Sequence, residues 1–204
     1  LREVVQQTFH LEADFAARSD IGKARIWIAE MLAAGMNSNC GGRNHIAITV
    51  EKQIARWMAQ AFDFPDQASG IFVTGASMAN FLSLLVARDQ AFGDNDVRLN
   101  GLRAIDTQMI AYASCEAHNC VRQAMELAGL GARHLRLIPS DENRRMKIHD
   151  LSVAIAADRA AGLKPFMIVG TAGTVDTGAI DPLDQLADVP TIIKGLSPAA
   201  RSAA

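Results

Sequence analysis

From Gly70 onward, short apolar runs rich in β-branched residues alternate with longer segments of helical period, and few folds accept that rhythm. The runs at 71–74, 108–113, 134–138 and 165–169 read as strands. Between them, 76–88 is helical, and 117–128 places Val121, Ala124, Met125 and Ala128 on one face before Gly129 stops the helix. Asp150 is a plausible N-cap for a helix ending at Gly162, and Asp181 with Pro182 at the first helical position opens another. Strands separated by helices of 10 to 15 residues imply a mostly parallel sheet with helices on both faces, an α/β fold.

The first part of the chain has a different texture. Val4, Val5, Thr8 and Leu11, then Ile26, Ile28, Met31 and Leu32, recur at helical spacing and predict two N-terminal helices. The Gly- and Asn-rich run 35–48 reads as a loop, after which Val50, Ile54, Trp57, Met58 and Ala61 restore a helical stripe that stops before Pro65. With 204 residues, 50% of them hydrophobic, the chain can bury a core as one large domain or one domain with an appendage. A net charge of −2 without a basic stripe, and 5% aromatic residues, argue against a nucleic-acid partner. The most apolar stretch, near 166–175, falls well short of the roughly 20 residues a bilayer requires, so no membrane partner is expected. Cys40, Cys115 and Cys120 form no C-x-x-C pair and read as reduced thiols of a cytoplasmic protein. The first residue is Leu1 and no targeting signal follows, so the start reads as a cut edge.

In a parallel sheet, ligands bind beyond the C-terminal strand ends. Three segments qualify there. In Thr74-Gly75-Ala76-Ser77-Met78-Ala79-Asn80 the small residues let helix N-terminal N–H groups meet an anion, with the Ser77 hydroxyl as a further donor. The same residues also fit a plain capped turn, or a nucleophile elbow one residue away from G-x-S-x-G. Under the elbow reading, a serine hydrolase would pair Ser77 with His149 and either Asp141 or Asp150. In the second segment, 114–120, His118 can stack on a flat ligand, relay a proton or cap a helix. Cys115, His118 and Cys120 suggest zinc but lack a fourth ligand and a standard spacing. The third segment, 171–182, breaks into glycines and small hydroxyl residues, as either a structural turn or a ligand loop.

TGASMANFLSLLVARD, SCEAHNCVRQAMELAGLG and the stretch from RLIPSDENRRM to DPLDQLAD, in that order, resemble the group II pyridoxal-phosphate-dependent decarboxylases, which include aromatic amino acid, glutamate and diaminobutyrate decarboxylases. The resemblance covers 49–188 and implies a partial large domain of the aspartate aminotransferase-like fold, fold type I, preceded by helices and a loop at 1–48 and followed by a non-matching tail at 189–204. It implies pyridoxal 5'-phosphate as cofactor, decarboxylation of an L-amino acid, aromatic ones favoured, and a homodimer with the active site at the subunit interface. Carried over by position, the phosphate loop falls on Ala76 and Ser77, the ring-stacking histidine, with a part in proton transfer, on His118, and a cofactor-lining threonine on Thr171.

Met78 stands where many members have Glu, and Val175 where many have Thr. The family's ring-nitrogen aspartate and its cofactor-binding lysine have no counterpart among these residues. Of Lys23, Lys52, Lys147, Lys164 and Lys194, only the last follows the third motif, and its setting does not match. The 204 residues therefore read as an incomplete catalyst, or alternatively as a noncatalytic dimerising or binding remnant of the fold. Ser77 and His118, both expected just after strands of one sheet spaced roughly 5 Å apart, are expected to lie within about 10 Å of each other.

Overall fold

The structure is a computed structural model that describes residues 20–36, 45–92, 97–104 and 106–189. These fall into two units that divide between Phe72 and Val73. The first unit contains α1 (Asp20–Met36) and α2 (Ile46–Ala61). His45 caps α2, its Nδ1 accepting from the Ala47 N–H at 3.2 Å. The run 35–48, expected as a loop, is helical at both of its described ends: Gly35 and Met36 finish α1, and Ile46 starts α2. The expected helix around Val4 to Leu11 and the tail beyond Val189 lie outside the described residues.

The second unit carries the sheet. Its order is α3 (Ala76–Phe92), α4 (Val97–Asn100), β1 (Met109–Ser114), α5 (Cys120–Leu127), β2 (Leu135–Ile138), α6 (Ile148–Ala160), β3 (Lys164–Val169) and α7 (Leu183–Asp188). All strand pairing is parallel, in the order β2-β1-β3. β1 is central, and all six of its residues are buried, as expected of a parallel strand covered on both sides. Alternation splits its side chains. Met109, Ala111 and Ala113 pack with Leu84 and Ala87 of α3 and with Val121, Ala124 and Met125 of α5, while Ile110 and Tyr112 join Leu151 and Ile155 of α6 and Leu186 of α7. The expected two-faced α/β sheet is present, and at about 25 cal/mol per Å² the two apolar layers are the main stabilising term.

A register shift lies between Ile110 and Ala111: Ile110 pairs with Pro165 and Ala111 with Met167, which leaves Phe166 as an extra residue. This two-against-one pairing is why Phe166 and Met167, neighbours in sequence, both contribute to the core on the α3 and α5 side.

Three sequence expectations need correction. Residues 71–74 form no strand; Ile71 and Phe72 are exposed, and the Phe72 N–H, which a ladder would need, is taken by the Glu51 carboxylate at 2.8 Å. Asp150 does not cap α6. The helix starts at Ile148 after Lys147, whose N–H donates to the Pro139 carbonyl at 3.0 Å, so Asp150 sits inside the first turn and serves the helix dipole instead. Pro182 likewise precedes α7 at its cap and is not its first helical residue.

Candidate active site

The C-terminal ends of β1, β2 and β3 lead into the segments 115–119, 139–147 and 170–182. His118 follows β1 by four residues and Thr171 follows β3 by two; because Ala113 pairs with Val169, both lie on the same edge of the sheet. Ser77 does not follow a strand, contrary to expectation. It is exposed in the first turn of α3.

Gly75 adopts φ +147, where an L side chain is strained, and an added Cβ would meet nothing within 4 Å. The Ala79 N–H donates to the Gly75 carbonyl at 3.1 Å, the first i→i−4 bond of α3. The N–H groups of Ala76, Ser77 and Met78 therefore stand ahead of the helical ladder, at the positive end of its dipole. A tetrahedral dianion fits this place chemically, with open space in front of a glycine, three main-chain donors and one hydroxyl.

His118 is exposed, and its Nδ1 accepts from the Cys120 N–H at 3.2 Å. The histidine thus caps α5, leaving Nε2 as the other polar atom of the ring. Beside it, the buried Asn80 donates from Nδ2 to Cys120 Sγ at 2.8 Å. Asn80 lies one turn beyond Ser77 and Cys120 two residues beyond His118, so this bond ties α3 to α5. Desolvation pushes the Cys120 thiol above its ordinary range, and the Asn80 bond only partly offsets this.

Thr171 is half-buried, and its backbone is fixed twice by Asp181. Its N–H donates to Asp181 Oδ2 at 2.8 Å and its carbonyl accepts from the Asp181 N–H at 2.8 Å. The other carboxylate oxygen of Asp181 accepts from the buried Met146 N–H at 2.7 Å, so one side chain joins the loops that follow β2 and β3. The sequence predicts Asp181 at the start of a helix. The local signal was a true Asp-Pro pair, but the carboxylate is spent on partners 10 and 35 residues away. In the same loop Thr174 Oγ1 contacts Thr177 Oγ1 and accepts from the Ala179 N–H at 3.0 Å, a turn closed by its own hydroxyls.

The serine-hydrolase arrangement is not assembled. His149 and Asp150 sit in the first turn of α6, which packs on one face of the sheet, whereas Ser77 belongs to α3 on the opposite face. Asp141 instead closes its own turn, accepting from the Asn143 and Arg145 N–H groups at 2.8 and 2.9 Å, and those bonds with the Arg145 guanidinium hold its carboxyl below the ordinary range. The thiols suggested for zinc face other groups: Cys120 faces Asn80, and Cys115 faces Ser140 and Glu116.

Residues 7–194 match the pyridoxal-dependent decarboxylase conserved domain. The chain belongs to that family. It is 33% identical over 169 residues to an aromatic-L-amino-acid decarboxylase of Bacillus atrophaeus, an alignment covering 79% of this chain and 32% of that protein. Among solved structures, it resembles the glutamate decarboxylase domain of a diaminobutyrate-pyruvate transaminase and L-2,4-diaminobutyrate decarboxylase from Vibrio parahaemolyticus, with TM-score 0.75 and 31% identity over 79% of this chain and 36% of that one. It also resembles the Oryza sativa TDC solved with PLP and tryptamine, with TM-score 0.60 and 28% identity over 69% and 30% of the two chains. The chain spans about a third of the length of the curated relatives it matches. Fold type I and a pyridoxal phosphate cofactor are the family's properties, and the two-faced parallel sheet agrees with the former.

Proposed function

We propose that these residues are the phosphate-binding and ring-covering part of a pyridoxal-phosphate-dependent L-amino acid decarboxylase, a carbon–carbon carboxy-lyase. The observation that carries this is the head of α3, where Gly75 at positive φ opens onto main-chain donors and the Ser77 hydroxyl. When bound, pyridoxal phosphate supplies the electron-withdrawing ring that takes up the electron pair left as CO2 departs. Ala76 and Ser77 hold its phosphate through N–H and O–H donors. His118 lies against one ring face, keeps water from it and presents Nε2 for proton transfer near the reacting carbon. Thr171 lines the cofactor on the β3 side, its backbone held still by Asp181.

Aromatic L-amino acids are the substrates favoured by this reading, and similarity to the Bacillus protein supports it. A homodimer in the cytoplasm belongs to the same reading; the unpaired thiols of Cys115 and Cys120 agree with a reducing compartment. The test is to titrate the apo protein with pyridoxal phosphate and then assay CO2 release from a panel of L-amino acids. Saturable binding that is weakened in H118A and by blocking the α3 head, followed by amine formation, is the expected result. Binding without turnover of any amino acid would favour the noncatalytic remnant, and an absence of binding would refute the assignment of the α3 head. The 204 residues expressed by themselves are expected to bind phosphate weakly, with no borohydride-trapped cofactor on Lys194.

A further inference from the structure

A cluster of polar side chains outside the residues assigned above stands at the C-terminal ends of β1 and β2. Glu116 Oε1 accepts from Ser140 Oγ at 2.8 Å, from Arg144 Nη1 at 3.3 Å and, more weakly, from Cys115 Sγ at 3.8 Å. Arg144 reaches Glu116 from a backbone at φ +60, in the left-handed region that a non-glycine residue seldom occupies, at the tip of the turn closed by Asp141. The Glu116 carboxyl is held below its ordinary range, first by Ser140 and then by Arg144.

The segment that Glu116 belongs to is the one that carries His118. It is pinned along its length: the Cys115 N–H donates to the Ile138 carbonyl at 2.9 Å, the Glu116 N–H to the Ser114 hydroxyl at 3.1 Å and the Ala117 N–H to the Ser114 carbonyl at 3.0 Å. At its far end the His118 carbonyl and Nδ1 meet the N–H groups of Val121 and Cys120. Between these anchors, the Glu116 side chain fastens the turn to the loop after β2, through a shorter bond to Ser140 than the 3.5 Å contact that Cys115 Sγ makes with the same hydroxyl. We propose that Glu116, clamped by Ser140 and Arg144, is a positioning residue for His118, fixing the turn so that the imidazole keeps Nδ1 on the Cys120 N–H and a single ring orientation. This rests on the reading of His118 as the group that covers the cofactor ring.

The test uses the intact protein, first without cofactor and then with pyridoxal phosphate as the probe. In the wild type, long-range 1H–15N spectra of the neutral His118 ring should show one tautomer, protonated at Nε2, and bound cofactor should show an induced visible circular dichroism band. E116A, and the double variant S140A/R144A, should mix the two tautomers, weaken the band and raise the dissociation constant for pyridoxal phosphate by about tenfold. E116Q keeps an oxygen that accepts from Ser140 and should restore both signals. If E116A also lowers the melting temperature, E116Q decides: restored signals support positioning, and signals still lost with stability recovered overturn it. A single tautomer and a full band in E116A would overturn it outright. If H118A leaves the band unchanged while E116A still mixes the tautomers, the ring-covering role of His118 fails and the positioning of its side chain stands.

Discussion

Replacing Asp181 by alanine tests both the fold and the site, because one buried carboxylate holds two loops. The substitution removes the acceptor of the Met146 N–H at 2.7 Å and of the Thr171 N–H at 2.8 Å. An orphaned buried donor costs about 1–3 kcal/mol. Met146 is 2% exposed and belongs in the upper part of that range, whereas half-buried Thr171 can recruit water and belongs in the lower. The sum is about 3–4 kcal/mol, or roughly 6–16 °C in melting temperature for a unit of this size. Urea unfolding of D181A should show the midpoint lowered at an unchanged slope, and D181N, which keeps one accepting oxygen, should recover about half of the loss. Pyridoxal phosphate binding should weaken in parallel, since Thr171 loses one of its two anchors and keeps only the bond from the residue 181 N–H to its carbonyl. A D181A midpoint within about 0.5 kcal/mol of wild type, the ordinary range for a surface substitution, would refute the claim that this carboxylate joins the two loops.

Asp158 is hydrogen-bonded by Arg136 at 2.8 Å and by the buried Tyr112 hydroxyl at 2.8 Å, and Arg136 is the main reason its carboxyl lies below the ordinary range. A depressed folded-state value means that its stabilisation is present above the ordinary carboxylate range and is lost as pH falls through the folded value. D158N should therefore flatten the acid limb of a stability–pH profile, and an unchanged limb would exclude this pair as its source. Y112F leaves Asp158 on Arg136 and should cost about 1 kcal/mol in urea unfolding; a loss several times larger would mean that the phenol carries the network. R144G removes the guanidinium at a position whose φ suits glycine, so its melting temperature should stay near wild type, and a large drop would show the ion pair to be structural. S77D should have opposite effects: a carboxylate in the first turn of α3 stabilises the helix by about 0.3–1 kcal/mol while repelling the cofactor phosphate, raising its dissociation constant at least about tenfold. Tighter cofactor binding in S77D would contradict an anion site at that helix.

The strands at β1, β2 and β3 were legible to within a residue at either end, because each is a short and mostly apolar run, although only the central β1 is buried at every position. Residues 71–74 have the same composition and fail as a strand. Composition supplies a pleated surface, but a ladder also needs a free N–H, and Glu51, 21 residues earlier, takes that of Phe72. The same distinction runs through the site. The placing of His118 and Ser77 near helix starts could be read, because it rests on local neighbours: a helix start, a glycine turn, a backbone N–H two residues away. Asp181, Glu116 and Asn80 could not, since their partners are 35, 24 and 40 residues distant and nothing in the intervening sequence marks the pairing.

These unread residues share a place in the fold, and parallel topology explains it. Parallel strands need a long crossover between neighbours, so segments that meet at the C-terminal edge are necessarily remote in sequence. Each loop there leaves the sheet with unpaired backbone groups that a neighbouring strand no longer satisfies. Asp181 supplies the loops after β2 and β3, Glu116 joins those after β1 and β2, and Asn80 joins the helices that begin beside them. Asp181 satisfies backbone N–H groups that would otherwise lack partners, while Glu116 and Asn80 bond side chains across their junctions, and each of the three ties in a segment that bears or adjoins Thr171 or His118. On this account, exchanging those three side chains should perturb the candidate site more than apolar substitutions on the fully buried β1, where the sheet itself holds the backbone.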